Sequence, residues 1–304
     1  MIYSITEEAF VHKKGMYAIM GYFLILVKSA VNISESVLIR KYNEKHKYGS
    51  MFFTGIISLA AMIFFLLSDT DGFHASTEIL PYSLVFGAIY CISYLFTYVA
   101  LACGPFTLSM LIISYSLIFS IVYGIVWLHD PITPFTYIGF ALLAVSLFLV
   151  RGAKKDENHK ISLKWLIAIS VTSAGNGILA IVQKMQQLRF DNAYNHEFMV
   201  ISLALSALVL LCLGGAVRDR AHIRKSIRYG TPYAATAGFA NGLNNYLAMI
   251  INNYIPISIS VPLISGVKIV MSYLISRALF KERYLKRQIV GVVIGAAALV
   301  FLNL

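Results

Sequence analysis

Charge is scarce in this chain. Only 13% of its 304 residues are Asp, Glu, Lys or Arg, against about 25% in soluble domains. That shortage, beside 59% hydrophobic residues, excludes an ordinary water-soluble globule. Cysteine is also rare. Cys91, Cys103 and Cys212 fall inside apolar runs, show no CxxC spacing and are odd in number, so neither a disulfide framework nor a thiolate metal site is expected. They read as small core residues. The first fifteen residues contain Glu7 and Glu8 and lack an apolar stretch, so they do not read as a cleaved signal peptide. Enzyme signatures are missing as well: there is no HExxH, no Walker loop and no GxSxG. His129-Asp130 and His196-Glu197 have no second ligand set at a usable spacing. Neither a cofactor nor a metal is expected.

What the chain has is long apolar runs that do not alternate, the mark of membrane helices rather than a barrel. Ten spans can be drawn: Met16–Ile39, Met51–Ser68, Ile79–Ala102, Pro105–Trp127, Pro134–Val150, Ile161–Met185, Phe198–Val217, Thr231–Asn252, Pro256–Ser276 and Gln288–Leu304. Each is close to the roughly 20 residues that an apolar layer of about 30 Å requires. Pro105 and Pro256 suit the first turn of a new helix.

The formal charge of +11 sits mainly between these runs. Arg40, Lys41, Lys45 and Lys47 follow the first span. Arg151, Lys154, Lys155, Lys160 and Lys164 follow the fifth. Arg218, Arg220, Arg224, Lys225 and Arg228 follow the seventh, and Arg277, Lys281, Arg283, Lys286 and Arg287 the ninth. The other side holds only Lys13, Lys14, Lys184 and Arg189. Odd-numbered loops are therefore expected in the cytoplasm and both termini outside, in a multi-pass protein of the cell membrane. The basic excess is a topology signal, and nucleic-acid binding is not expected.

The chain also repeats itself. Lys28 to Asn32 aligns with Thr172 to Asn176. Gly87, Tyr90, Ser93, Tyr94, Pro105, Ser109 and Ser114 align at one constant offset with Gly238, Asn241, Asn244, Asn245, Pro256, Ser260 and Ser265. The predicted fold is thus all-α integral membrane, with ten transmembrane helices as two inverted five-helix repeats. The expected organisation is an N-terminal extension (1–15), a first repeat (16–150), a cytoplasmic linker (151–160) and a second repeat (161–304). An odd number of spans per repeat inserts the second upside down, and such pairs place a site near the midplane, between the halves.

Candidate site residues are polar groups inside apolar spans. Lys28 lies twelve residues from both Met16 and Arg40, about 18 Å along a helix from the latter, too deep for easy snorkelling. An intramembrane cation costs from about 2.5 to over 10 kcal/mol and usually faces a cavity. Lys28, Asn32 and Glu35 share one helical face, as do Ser265, Lys268 and Ser272. The eighth span adds Asn241 and Asn245, with Asn244 alongside and Asn252 further on. The third adds Tyr90 and Tyr94, with Thr97, and the sixth adds Asn176, the repeat partner of Asn32. Alternatives stand beside the cavity reading: a Lys28–Glu35 pair or a Lys268–Glu35 pair that only offsets charge, and asparagines that only join helices. Spans two, five, seven and ten are nearly free of polar residues and form an outer layer; Gly291 and Gly295 in the tenth give a close-packing GxxxG spacing.

The run from Tyr98 to Pro105, with Lys281-Glu282-Arg283 followed by Gly291 and Gly295, resembles the repeat endings of EamA-type carriers of the drug/metabolite transporter superfamily. Span number, repeat and length resemble it over essentially the whole chain. His129-Asp130-Pro131 departs from the family's usual loop. The resemblance implies a secondary carrier with a central cavity built from spans one, three, four, six, eight and nine.

The reading that follows is a secondary active transporter for a small polar metabolite bearing a carboxylate or phosphate. Lys28 and Lys268 supply positive charge, Asn32, Asn176, Asn241 and Asn245 orient the substrate, and Glu35 is the proton-coupling candidate. Expected partners are the small-molecule substrate, the lipid bilayer and a coupling proton or other ion; a homodimer is compatible. The alternatives are a drug or organic-cation efflux carrier and, from another class, a membrane-embedded lipid-modifying enzyme or a ligand sensor.

Overall fold

The computed structural model describes residues 2–46, 50–69, 72–74, 76–129, 133–150, 162–216, 224–281 and 285–301. The described residues are helical throughout, joined by short turns. In chain order the helices are α1 (Ile2–His46), α2 (Ser50–Ser68), α3 (Leu80–Cys103), α4 (Phe106–Ile113), α5 (Leu117–Trp127), α6 (Pro134–Val150), α7 (Leu163–Arg189), α8 (Asn195–Ala216), α9 (Thr231–Tyr254), α10 (Ile257–Leu279) and α11 (Lys286–Phe301). With α4 and α5 counted as one broken span, each corresponds to one of the ten expected spans. Of the expected landmarks, Lys47, Asp130, Pro131, Arg151, Lys154, Lys155, Lys160, Arg218, Arg220, Glu282 and Arg283 lie outside the described residues, as do the side chains of Lys13 and Lys14.

Among the described residues, six spans are long and apolar enough to cross a membrane: Met20–His46, Met51–Ser68, Thr77–Cys103, Phe106–Trp127, Leu163–Arg189 and Asn195–Ala216. The α9 helix is less apolar because it carries Asn241, Asn244, Asn245, Asn252 and Asn253. Large apolar side chains such as Phe23, Leu67, Trp127, Phe148 and Val293 point outward and are exposed, as a lipid-facing surface requires.

Two boundaries differ from expectation. The α1 helix begins at Ile2 and runs on to His46, so Arg40 is not a loop residue; it is buried inside the helix. The fourth span is not continuous. A 3-10 turn over Ser114–Ser116 separates α4 from α5, and the Ser114 hydroxyl donates to the Met110 carbonyl at 2.8 Å. Local bonding by a serine competes with the helical ladder and bends it.

Tight turns bring neighbouring helices together. Gly104 and Pro105 are extended between α3 and α4, and Ile255 and Pro256 are extended between α9 and α10. The α2 helix packs on α8, α6 on α11, α1 on α9 and α10, α3 on α7 and α8, and α9 on α2. Contacts identify the two ends of the bundle. One end gathers the finish of α1, α3 and α10 with the start of α7 and α9: Arg40 reaches Leu101, Gly104 and Phe280, Trp165 reaches Ser109, and Tyr42 packs on Gly230. The other end gathers the finish of α7 and α9 with the start of α3 and α8, where Lys184 meets Asn252 and Tyr82 meets Phe190.

Without a hydrophobic force between helices in lipid, close approach depends on small residues and hydrogen bonds. On α9, a Cβ at Gly238 would lie 2.5 Å from the Ile57 carbonyl oxygen of α2; on α3, one at Gly87 would lie 2.7 Å from that of Ser202 on α8. Gly291 and Gly295 serve the α6–α11 contact, where the Ser146 hydroxyl donates to the Gly291 carbonyl at 2.6 Å.

Candidate functional site

The inward faces of α1, α3, α4–α5, α7, α9 and α10 enclose a cavity of about 190 Å³. Lys28, Asn32, Glu35, Tyr90, Tyr94, Asn176, Asn241, Asn245, Ser265 and Lys268 all line it. Ser272 does not. It is fully buried, one turn beyond Lys268, and its hydroxyl donates to the Ile269 carbonyl of its own helix at 2.8 Å. The helical face that carries Ser265 and Lys268 leaves the chamber before it reaches Ser272.

Asn241 is the hub. Its Nδ2 donates to Glu35 Oε1 at 3.0 Å and to the Tyr94 hydroxyl at 2.8 Å. Its Oδ1 accepts from the Tyr90 hydroxyl at 2.6 Å and from Asn245 Nδ2 at 3.0 Å. One amide thus joins α1, α3 and α9 with both ends satisfied. The Tyr90 and Tyr94 rings stack on each other with centroids 4.8 Å apart, so each rigidifies the other's hydroxyl position.

Lys28 Nζ donates to Asn244 Oδ1 at 2.8 Å and to the Asn244 carbonyl at 3.1 Å. Lys268 lines the cavity with no hydrogen-bond or ion-pair partner among the described residues. The expected neutralising pairs are not formed. Glu35 contacts the Asn241 amide rather than either lysine, while Arg40 pairs with Glu44 at 3.0 Å.

Asn176 Oδ1 accepts from the Ser93 hydroxyl at 3.0 Å, and Asn32 has no side-chain partner among the described residues. The lining also includes Ser260, named from the sequence only as the repeat partner of Ser109, and Ser36, Ser116 and Gln183, which were not singled out. Gln183 lies seven residues after Asn176, so helical spacing from a known candidate was the available signal. Its Nε2 has no partner among the described residues.

Each end of the chamber is tied. At one, Arg40 Nη1 donates to the carbonyls of Leu101 at 2.8 Å and Gly104 at 2.5 Å, beside the Phe106–Phe280 ring contact. At the other, Lys184 Nζ donates to the Asn252 carbonyl at 3.2 Å, and Asn252 Nδ2 donates to Gln187 Oε1 at 2.9 Å. Among the described residues no group of three His, Cys, Asp or Glu side chains is placed to hold a metal ion. The chamber offers ammonium, amide, hydroxyl and aromatic groups, a set for binding and releasing a polar solute.

A helical bundle with outward apolar faces and an inward polar chamber defines the class, a multi-pass membrane protein. Residues 19–152 match the model of the EamA-like transporter family. That match agrees with the resemblance carried by the sequence motifs and supports a membrane transporter. A solved structure described only as "Crystal structure of protein" is similar with a TM-score of 0.59 and 13% identity, over 94% of this chain and 98% of that one. At that identity the likeness speaks for the fold alone. No curated protein matches the chain.

Proposed function

We propose that this protein is a secondary active transporter that carries a small polar metabolite, bearing a carboxylate or phosphate, across the cell membrane by alternating access. The observation that carries the proposal is Lys268, an intramembrane cation facing a cavity with its donors unmet, in company with Lys28 and side-chain amides. Such a cost is tolerated where a ligand or water completes the site.

Two oppositely inserted repeats, residues 16–150 and 161–304, are joined through 151–160. Three observations support this reading. Helix α1 ends where α7 begins, and α3 ends where α9 begins. Packing pairs exchange under the repeat: α1 with α9 answers α7 with α3, and α2 with α9 answers α8 with α3. The repeat-matched Gly87 and Gly238 each press on a carbonyl of the other half. The basic residues at and beyond the ends of α1, α6, α8 and α10 support a cytoplasmic position for those turns and an outside position for both termini. Glu35, joined to the hub amide, is the proton-coupling candidate.

Organic-cation efflux is the weaker reading, because two lysines in one chamber repel a cation. Reconstituted in proteoliposomes, the wild-type protein is expected to exchange a labelled organic anion, and Lys28→Ala and Lys268→Ala to reach the membrane but lose that exchange. Unchanged exchange by both variants removes the charge basis. A thermal-shift screen of organic acids, sugar phosphates, amino acids and organic cations identifies the ligand class, since a ligand of the folded state raises its melting temperature.

A further inference from the structure

The two lysines of the chamber are in different states. Lys28 is engaged: both of its acceptors belong to Asn244, so the ammonium joins α1 to α9. Lys268 lines the same cavity from α10 with all three donors unmatched among the described residues. An unmet charged donor withdrawn from bulk water is expensive, and an arriving anion recovers that cost.

Charge balance narrows the ligand. With Glu35 ionised, Lys28, Glu35 and Lys268 together carry one net positive charge in the lining. A carboxylate closes that balance. A phosphate monoester carries about −1.5 to −2 near pH 7 and would leave excess negative charge beside Glu35. The charged groups all stand on α1 and α10. The lining from α4, the turn after it and α7 contributes Ile113, Ser116, Asn176, Leu179 and Gln183, with no charge. A solute charged at both ends finds only one charged wall.

Resting on the transport reading above, we propose that Lys268 is the single anion anchor, that Lys28 is a positioning residue holding α1 against α9, and that the cargo is a monocarboxylate whose uncharged end faces α7. Ser265, one turn before Lys268, and Asn32, one turn after Lys28, are the uncommitted lining groups nearest in sequence to the two lysines.

The test is selective acylation of full-length protein in nanodiscs by sulfosuccinimidyl acetate, read lysine by lysine with peptide mass spectrometry. Exposed Lys41 supplies the internal reference rate. Lys268 is expected to be modified several-fold faster than Lys28. Asn244→Leu should raise the Lys28 rate towards that of Lys268, while Asn244→Asp, which keeps an acceptor, should leave it low. Lactate, pyruvate and phenylpyruvate, tested singly, are the anion probes; at least one should slow Lys268 modification, and methyl phosphate and lactamide should not. Equal or faster modification of Lys28 in the wild-type protein overturns the division of roles, and so does an unmodified Lys268 beside a modified Lys41. Protection by methyl phosphate without protection by any carboxylate overturns the monocarboxylate but leaves an anion carrier. If no anion protects Lys268 while the rate ratio holds, the anchor role and the monocarboxylate cargo are overturned and only the Lys28–Asn244 engagement stands, whereas the transport reading is tested separately by the proteoliposome exchange.

Discussion

Arg40 and Lys268 are both cations inside the bundle, and their surroundings are opposite. Arg40 closes one end. Its guanidinium meets the last carbonyls of α3, where the helix dipole is negative, lies over the Phe280 ring at 5.7 Å and pairs with Glu44. Nothing small fits nearby: a Cβ on Gly104 would collide with the Trp165 indole, whose Nε1 donates to Ser109 at 3.0 Å. Lys268 faces a chamber and keeps its donors. A buried charge marks a binding site only where its hydrogen bonds are left over; where they are consumed, the same charge is a fastener.

Substitutions can break or sharpen that contrast. The largest stability loss is expected for Arg40→Ala, which removes two charge-assisted bonds and strands the Leu101 and Gly104 carbonyls, about 3 kcal/mol. A wild-type melting temperature for this variant would dissolve the comparison. Asn241→Leu comes next. It leaves Glu35, Tyr90, Tyr94 and Asn245 short of a partner, about 2 kcal/mol, measured by denaturation in detergent. Gly238→Ala overpacks the α9–α2 contact, about 1–2 kcal/mol; turnover should fall while ligand affinity, from titrated thermal shifts, stays near wild type. Lys268→Met should cost the least stability, with a ligand-free melting temperature at or above wild type, yet abolish transport. A Lys268→Met protein that melts well below wild type would place Lys268 among the fasteners.

The helices were legible because apolar length is a strong, local signal. The span limits fall within a few residues of the helices, except where α1 continues past the membrane-length run. Arg40 was misplaced for that reason: it opens the basic series Arg40, Lys41, Lys45, Lys47, and nothing local says that the helix carries on through it. Spacing at i, i+4 and i+7 brought Lys28, Asn32 and Glu35 to one face, and Lys268 to another, but it extended the second face too far, to Ser272. Partners were not legible. The Lys28–Asn244 bond spans 216 residues, and the replacement of a Lys–Glu pair by the Asn241 hub depends on how three helices meet. The break at Ser114–Ser116 was hidden because serine is tolerated in a helix and bends it only when its hydroxyl turns back on the backbone.

The bare seats at Gly87 and Gly238 carry one more consequence. At each, the glycine lies against a backbone carbonyl of the other half, with the Leu205 side chain beside Gly87 and the Ala60 methyl beside Gly238. Their clearances are nearly equal, 2.7 and 2.5 Å from a would-be Cβ to the facing carbonyl oxygen, so the proposed alternating access would load both seats alike. Under that proposal, a methyl group added to one alone unbalances the pair, and the chamber should then open to one side more often than to the other.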